Sequence, residues 1–329
     1  MRSVDLIGCG ALNLDLIYRL PEDAPLWNKL PPPGSEFGIT AEERAPIDAA
    51  LAEAEVEPTW AGGGQAANTA FALAELGFKS AMLGRIGNDD EGEYLAGELS
   101  PCEARYLARG GETGRVYVLL NETGERRNLV YPAANDQFAP GDLPRRLPRT
   151  RYAYFSSFVG EGPLEAQLTL LERLPHEVEI AFDPGEIYAR RGVKRFIPLL
   201  QRTELLFATE TELEIFCGLP VDKAIEFLLK VGVRLVVRKM GEQGARIVGQ
   251  RLDLYIPPHP AEVVDVTGAG DLFAAGFIGA LLANAGLESA GHLAAWAASQ
   301  GIGGLGRSAY PDAEAWRERL ADELPRDET

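Results

Sequence analysis

The segment DVTGAGDLFAAGFIGALLANAG, residues 265–286, combines a glycine-rich turn with a long apolar run. Within the run, Phe273, Phe277 and Leu281 recur at the spacing of one helical face. A helix that is apolar on most sides is typical of a buried position. We therefore predict a buried helix that begins directly after the turn.

The turn itself brings three small residues and one acid to the start of that helix. Gly268, Ala269 and Gly270 carry no bulky side chains, so a ligand can approach the backbone there. The first amides of a helix have no intrahelical partner and carry the positive end of its dipole. The turn thus has the outline of an anion site with Asp271 beside it. The alternative is a tight turn in which Asp271 is an ordinary acid of the first helical turn.

A second glycine turn precedes a second helix in AGGGQAANTAFALAELG, residues 61–77. Short apolar runs alternate with helical segments along the rest of the chain, as expected for parallel strands that are buried on both faces. These runs are SVDLIGCG, KSAMLGRIG, RYAYFSS, VEIAFDP, LLFAT and RLVVRKMG. The chain therefore predicts an α/β fold with a central, mostly parallel sheet.

One region departs from this alternation. RVYVLLNETGERRNLVY, residues 115–131, contains two β-rich runs around a turn with Asn121 and Gly124, which is typical of a hairpin. Residues 21–60 form a proline-containing excursion with a predicted helix at 41–55. We place the hairpin outside the main sheet.

Composition restricts the classes of partner. With 32 basic and 49 acidic residues the net charge is −17, which argues against nucleic acid and against an anionic membrane surface. The cysteines Cys9, Cys102 and Cys217 lack metal-type spacing and are expected to be reduced thiols. No stretch has the length and apolarity of a signal sequence or a membrane span. The expectation is a cytoplasmic protein.

Several catalytic signatures are missing from the sequence. No Gly-x-x-x-x-Gly-Lys-Ser/Thr segment occurs, which argues against a P-loop, and GCGALN lacks the third glycine of a dinucleotide site. The histidines His176, His259 and His292 form no metal pair and lie near no serine nucleophile motif. Hydrolase and zinc-site interpretations are therefore disfavoured.

The two glycine turns, in this order and about 200 residues apart, carry a resemblance to the PfkB/ribokinase family of carbohydrate and nucleoside kinases. GGGQAANTAFALAELG resembles the family's N-terminal signature, and DVTGAGDLFAAGF its C-terminal signature. The resemblance implies one ribokinase-like domain over residues 1–329, with helices on both sides of the sheet. It further implies a small β-sheet lid from about residues 12–40 and 112–134 that closes over the substrate.

The resemblance also implies an ATP-dependent phosphorylation of an alcohol. Asp271 would be the general base, and the turn of Gly268, Ala269 and Gly270 would stabilise charge through the amides of residues 269–271. The acceptor would be held by five positions. These are Asn13 and Asp15, whose alternation places both on one face of a strand, and Gly63, Gly64 and Asn68.

For the nucleotide, the resemblance implies Mg²⁺ near Glu212 in FATETELEIFCG, where Thr209 stands in place of the family's usual asparagine. A hydroxyl can still hold a metal-bound water. A solvated acidic helix face is the alternative for this segment. The remaining nucleotide-site candidates are Lys239, Gly241, Gly244, Thr267 and Ala298, and a K⁺ site would use Asp265 and Thr267.

The acceptor stays open at this stage. A sugar is favoured by Asn13 beside Asp15, whereas the 21–60 excursion and the segment YPAAND resemble adenosine-kinase-like members of the family. Trp27 or Phe37 would stack on a nucleobase or, alternatively, anchor the lid. A non-catalytic sugar- or nucleotide-binding relative is the third alternative, supported by Thr209 and opposed by the intact acid at 271. A homodimer through the lid is a further expectation.

Overall fold

The computed structural model describes residues 3–30, 36–123 and 125–324. Its strands are β1 (Leu6–Cys9), β2 (Asn13–Arg19), β3 (Glu36–Gly38), β4 (Thr59–Gly63), β5 (Ser80–Leu83), β6 (Arg85–Ile86), β7 (Ala108–Arg109), β8 (Arg115–Leu120), β9 (Arg126–Tyr131), β10 (Tyr152–Ser156), β11 (Glu179–Asp183), β12 (Thr203–Thr209), β13 (Leu235–Lys239), β14 (Ala245–Gly249) and β15 (Leu252–Ile256).

The helices are α1 (Ala41–Glu53), α2 (Gln65–Glu75), α3 (Asp90–Glu98), α4 (Gly162–Arg173), α5 (Gly185–Ala189), α6 (Ile197–Leu200), α7 (Glu210–Cys217), α8 (Val221–Val231), α9 (Ala269–Leu282), α10 (Leu287–Gly301) and α11 (Ala313–Glu323). Short 3₁₀ turns, such as Gly241–Gln243, lie between them.

The central sheet has the strand order β5-β1-β10-β11-β12-β13-β14-β15. The strands from β5 to β13 are parallel, and β14 and β15 are antiparallel. The predicted mostly parallel sheet is confirmed. The sequence analysis missed the β14–β15 hairpin, because ARIVG and LDLYI are short and only partly apolar.

Alternate residues of these strands face opposite sides of the sheet. In β11, Ile180 and Phe182 pack into a cluster with apolar residues of α4 to α8, whereas Ala181 packs into a cluster with α2, α9 and α10. Because both faces are covered by helices, the strands are apolar throughout instead of alternating with polar residues. This arrangement aligns the carboxyl ends of the parallel strands along one edge, where α/β proteins bind ligands.

A second sheet, which we call the small sheet, has the order β3-β9-β8-β2-β4. The predicted hairpin is present as the antiparallel pair β8–β9, in which Val116 lies opposite Val130. The sheet extends beyond the two predicted segments, because β4 pairs with β2 along its edge. Residues 31–35 and Gly124, which belong to the predicted lid and turn, lie outside the described residues.

Helix α1 covers the far face of the small sheet. Its Ile47 and Leu51 are buried in the same cluster as Tyr117 and Leu129 of that face, and the Tyr117 hydroxyl donates a 2.6 Å hydrogen bond to Asp48. The other face carries Val116 and Val118 toward the central sheet. A homodimer through the small sheet stays a prediction. Because α1 covers the far face, such a contact would use surface of the small sheet that α1 does not cover.

Within the described ranges, no helix combines the length and apolarity needed to cross a membrane.

Candidate active site

Two cavities meet at Gly268–Asp271, where the glycine turn leads into the first turn of α9. The first, of about 450 Å³, lies between the small sheet and the carboxyl ends of the core strands, and the second, of about 650 Å³, lies beside α9 and α10. Both are lined by Lys239, Gly241, Val266, Ala269 and Gly270. The glycine turn thus forms the border between two ligand-sized spaces, which suits a reaction between two molecules.

The turn exposes amides at this border. Gly268 adopts a left-handed φ of 74°, and a Cβ there would lie 2.7 Å from the Tyr310 hydroxyl, so glycine is required. The Ala269 amide donates to the Val266 carbonyl at 3.2 Å, which differs from the prediction that this amide is free. In the described part of the chain, the amides of Gly270 and Asp271 donate to no protein acceptor. Two amides therefore remain for an anion.

Asp271 lies in the first turn of α9 with 8% of its surface exposed. Its Oδ2 accepts a 2.8 Å hydrogen bond from Asn68 Nδ2. Burial and the nearby Asp183 raise its pKa to about 7, against the opposing effects of Asn68, Lys239 and Arg307. A carboxyl group with a pKa near neutral pH is well matched to accepting a proton from a hydroxyl group.

Asn13 and Asp15 both line the first cavity from β2, as the predicted alternation requires. Asn13 is fixed by a 2.9 Å hydrogen bond that its Oδ1 accepts from Asn135. Burial raises the pKa of Asp15 to about 7, although Arg307 and Arg126 act to lower it.

Gly63 makes room for the Asp15 side chain, whereas Gly64 is required by its own backbone conformation. A Cβ on Gly63 would lie 2.2 Å from Asp15 Oδ1, so the missing side chain makes room for the carboxyl group. Gly64 has a φ of 105°, and a Cβ there would lie 2.1 Å from the Ala11 carbonyl oxygen. Both positions exclude larger residues, and Gly64 also lines the cavity.

Asn68 connects α2 to the base. Besides donating to Asp271, its Oδ1 accepts hydrogen bonds from Arg307 Nε at 3.2 Å and Nη2 at 2.9 Å. Asn68 also lines the first cavity. Of the predicted acceptor residues, it is the one in direct contact with the predicted base.

Thr209 and Glu212 form a capping box at the start of α7. The Thr209 amide donates to Glu212 Oε2 at 2.7 Å, and the Glu212 amide donates to Thr209 Oγ1 at 3.3 Å. Threonine is a good N-cap, so the departure from asparagine keeps the helix start intact. Thr209 lines the first cavity with Glu212 behind it, and burial raises the pKa of Glu212 despite the charge of Lys239.

Lys239 projects from the end of β13 over the glycine turn. Its Nζ lies 2.7 Å from Asp183 Oδ2, and a Cβ on Gly270 would lie 3.2 Å from that Nζ. Burial alone would lower the pKa of Lys239, but the charges of Asp183 and Glu212 raise it above its ordinary value. The lysine is therefore a fixed cation on the wall shared by both cavities.

The second cavity holds the other predicted nucleotide residues, Gly241, Gly244 and Ala298. Gly244 is required by the β13–β14 connection, because its φ is 84° and a Cβ would lie 2.1 Å from the Ile256 carbonyl oxygen. At the opposite end of the turn, Thr267 lines the first cavity and donates from its backbone amide to Asp265 Oδ1 at 2.9 Å.

The structure also places residues at the site that the sequence analysis did not identify. Glu36 and Arg126 line the first cavity from the small sheet, and Arg126 donates to the hydroxyl of Thr267. Asp183 ends β11 beside Lys239, and although the predicted strand VEIAFDP contains it, no local spacing marks it as a site residue. Arg307 lies between α10 and α11, where no local pattern marks it.

The candidate aromatic residues for a nucleobase lie away from the site. Trp27 and Phe37 do not line either cavity in the described residues. The Trp27 indole donates to the Pro21 carbonyl at 2.8 Å and lies under the Arg127 guanidinium, and Phe37 lies 5.2 Å from that of Arg190. Both rings are held by cation–π contacts elsewhere on the protein.

Among the described residues, no group of three or more acidic, histidine or cysteine side chains is arranged to hold a metal ion. Mg²⁺ in phosphoryl-transfer sites is bound largely by substrate phosphates and water, with one or two protein carboxylates. The single carboxyl group of Glu212 behind Thr209 fits this limited role. It does not fit a metal held entirely by the protein.

Comparison with known proteins shows extensive similarity. Residues 42–312 match the pfkB family carbohydrate kinase model. The chain is 30% identical to an uncharacterized sugar kinase of Archaeoglobus fulgidus, over 70% of this chain and 94% of that protein. It is 26% identical to an ATP-dependent ribose-1-phosphate kinase of Halopiger xanaduensis, over 95% and 96% of the two chains. The structure of adenosine kinase from Sinorhizobium meliloti superposes with a TM-score of 0.82 at 25% identity, covering 96% of this chain and 99% of that one.

Proposed function

This chain belongs to the pfkB family of carbohydrate kinases, and we propose that it transfers the γ-phosphoryl group of ATP to a hydroxyl group of a sugar. The observation that carries the proposal is the meeting of two cavities at the Gly268–Asp271 turn. One cavity suits the acceptor and the other the nucleotide, and the reacting atoms would lie at the border.

The chemistry follows from the residues at that border. The acceptor hydroxyl, placed next to Asp271, loses its proton to the carboxylate as its oxygen attacks the γ-phosphorus, and the bond to the β-phosphate oxygen breaks to release ADP. Negative charge spreads over the transferred phosphoryl oxygens. The amides of Gly270 and Asp271 and the Lys239 ammonium are positioned to stabilise that charge.

On the nucleotide side, Gly241, Gly244 and Ala298 would contact ATP in the second cavity. Mg²⁺, with Glu212 holding its water ligands, would neutralise phosphate charge when bound. Asp265 and Thr267 remain the proposed K⁺ residues. The protein itself would contribute two features to the nucleotide site, the fixed ammonium group of Lys239 and a glycine turn without bulky side chains that phosphates can approach.

The small sheet would act as the lid of a single domain. Its inner face supplies Glu36, Arg126 and the valines of β8 to the first cavity, and Arg126 reaches Thr267 beside the glycine turn. Such a cover excludes water, so that the phosphoryl group passes to the acceptor and is not hydrolysed.

A sugar acceptor is supported by the polar groups of the first cavity. Asn13, Asp15, Glu36 and Asn128 all present hydrogen-bonding atoms there, as a compound with several hydroxyl groups requires. Phe158 is the aromatic residue of the described lining, and it is fully buried with its ring against Phe138. The cavity therefore offers little surface for stacking a base.

A nucleoside is the second candidate. It is favoured by the apolar part of the same wall, formed by Val116, Val118 and Val130 of the small sheet with Ile187. A purine or pyrimidine ring buries apolar surface and can use such a wall without an aromatic partner.

The experiment is an ADP-release assay with Mg²⁺-ATP and a panel of pentoses, hexoses, ribose 1-phosphate and nucleosides. Asp271→Asn serves as the matched control, since it keeps the shape of the side chain and removes the base. We expect one acceptor class to give turnover that the variant lowers by about a hundredfold or more. Turnover with nucleosides alone would replace the sugar by the second candidate. The absence of turnover with every acceptor would overturn the kinase mechanism proposed for these residues.

A further inference from the structure

Arg307 is a charged residue that the proposed reaction does not use, although it is close to the reacting groups. It lies in the connection between α10 and α11 and is half-buried. Its Nη1 donates to the Glu98 carbonyl at 3.3 Å, and its guanidinium lies 4.6 Å from the centre of the Phe71 ring. Among the described residues, Arg307 is not part of an exposed salt bridge, because its hydrogen-bond partners are the Glu98 backbone carbonyl and the side-chain amide of Asn68.

The contacts of Arg307 with Asn68 settle which way the amide group points. Asn68 Oδ1 accepts from two guanidinium nitrogens, at 3.2 and 2.9 Å. An arginine can only donate, so the oxygen of Asn68 must face it. The Nδ2 atom is then on the opposite side, where it donates to Asp271 Oδ2 at 2.8 Å.

This chain of contacts determines the presentation of the base. Because Oδ2 of Asp271 is held by Asn68, the carboxyl group cannot rotate freely, and its other oxygen is left for a proton from the acceptor. We propose that Arg307 is a positioning residue for the phosphoryl transfer, which acts through Asn68 to orient the Asp271 carboxylate. The effect of Arg307 on turnover rests on the proposed function, whereas its effect on Asn68 rests on the hydrogen bonds alone.

The charge of Arg307 also favours a base that is ready to accept a proton. It favours the ionised forms of both Asp15 and Asp271, which burial disfavours. Loss of the charge would therefore make the base harder to ionise. Other charged and titratable groups also act on this pair and on Arg307, and they stay in place in the variants below. They are Asp183, Lys239, Arg126, Glu98 and Tyr310.

The test compares three variants. Arg307→Met keeps an unbranched side chain over Phe71 but removes the hydrogen-bond donors and the charge. Arg307→Lys keeps the charge but loses the two donors that Asn68 accepts from. Arg202→Met is the matched control, because Arg202 also donates hydrogen bonds to backbone carbonyls, here at the end of α4. Arg202 lines neither cavity.

We expect Arg307→Met to lower kcat by about tenfold or more and to move the acidic limb of the kcat profile to higher pH, with the KM for ATP unchanged. Arg307→Lys should restore the position of the acidic limb but only part of kcat. Arg202→Met should lower thermal stability while leaving kcat and its pH profile as in the wild type. If Arg307→Met shows only the same loss of stability as Arg202→Met, the positioning role is wrong.

A crystal structure of Arg307→Met supplies a readout that does not depend on turnover. We expect the Asn68 amide to rotate or to move away from Asp271 in this variant. If the wild-type protein phosphorylates no acceptor but Asn68 moves in the variant, the proposed function fails and the orienting contact stands. If the Asn68–Asp271 hydrogen bond is unchanged in the variant, the inference is overturned whatever the activity.

Discussion

Lys239 Nζ lies 2.7 Å from Asp183 Oδ2, and the Asp183 side chain is completely buried. Asp183 ends β11 and Lys239 ends β13, and β12 lies between these two strands in the central sheet. The fold thus brings together charges that are 56 positions apart in sequence. The pair fixes the lysine over the glycine turn at the border of both cavities. The lysine neutralises the buried Asp183 carboxylate, and its position suits the proposed nucleotide site.

Removing the lysine separates these two roles. Lys239→Met leaves the buried Asp183 carboxylate without its cation, which typically costs about 3–5 kcal/mol of unfolding free energy. We expect a large drop in melting temperature together with a raised KM for ATP. Lys239→Met combined with Asp183→Asn should recover much of the stability but not ATP binding.

The matched control for that experiment is Lys223→Met. Lys223 pairs with Glu226 on the exposed face of α8, where a salt bridge contributes about 1 kcal/mol or less. Chemical denaturation of all three proteins measures the difference. Equal losses for the exposed and the buried lysine would show that the Asp183 contact contributes no more than a surface pair.

Activity and stability should respond to pH in opposite directions. Burial raises the pKa values of Asp15, Glu36 and Asp271 each to about 7, whereas in the unfolded chain such groups titrate at about 4. Between these values the folded protein binds more protons than the unfolded chain. The stability of the ligand-free protein should therefore rise as pH falls from about 8 to about 5.

Over the same interval kcat/KM should fall, because Asp271 must be ionised to accept a proton. Thermal melts and initial rates across this pH range check both halves of the prediction. Asp271→Asn removes one of the three groups and should flatten the stability curve. A melting temperature that falls along with the activity would contradict the prediction.

Gly63→Ala should impair acceptor binding specifically. The new Cβ would lie 2.2 Å from Asp15 Oδ1, so the carboxyl group must leave its position on the cavity wall. A lost hydrogen bond to a charged group costs about 1.5–3 kcal/mol, so we expect the acceptor KM to rise about tenfold or more with the KM for ATP unchanged. Steady-state kinetics with each substrate varied in turn measures both constants.

Gly97→Ala is the control, since a Cβ there meets nothing within 4 Å and the residue lies inside α3. It should leave both KM values unchanged and raise helix stability by up to about 1 kcal/mol. A Gly63→Ala enzyme with the wild-type acceptor KM would remove Asp15 from the acceptor site.

The choice between sugar and nucleoside depends on the lining of the first cavity. Glu36→Gln removes a carboxylate from the polar part of that lining, and we expect the KM for a sugar acceptor to rise by about tenfold. Trp27→Ala is the control and should leave the acceptor KM within a few-fold of wild type, because its ring lies outside the cavity. Acceptor panels with both variants provide the measurement.

A polar replacement of the apolar wall, Val118→Thr, gives the complementary result. A sugar kinase should tolerate it, because hydroxyl groups do not depend on that wall. A nucleoside KM that rises sharply in Val118→Thr, with no effect of Glu36→Gln, would favour the nucleoside instead.

The sequence by itself determined the fold class, and it predicted the chemistry of the glycine turn. The apolar runs predict a sheet buried on both faces. The Gly-Ala-Gly-Asp order predicts an anion site beside an acid, because free amides and small residues are local properties of a helix start. The sequence marks Gly268 only as a small residue, and the left-handed φ of 74° that requires glycine there is seen in the structure.

Only the tertiary structure decided which side chains surround that turn. Arg307, Asp183 and Glu36 are brought to it by long-range contacts, and none is marked by local spacing. The same holds for Trp27 and Phe37, whose aromatic character suggested a base-binding wall but whose direction depends on how the small sheet packs against its neighbours. Packing direction is set by the burial of whole faces, which no single residue type encodes.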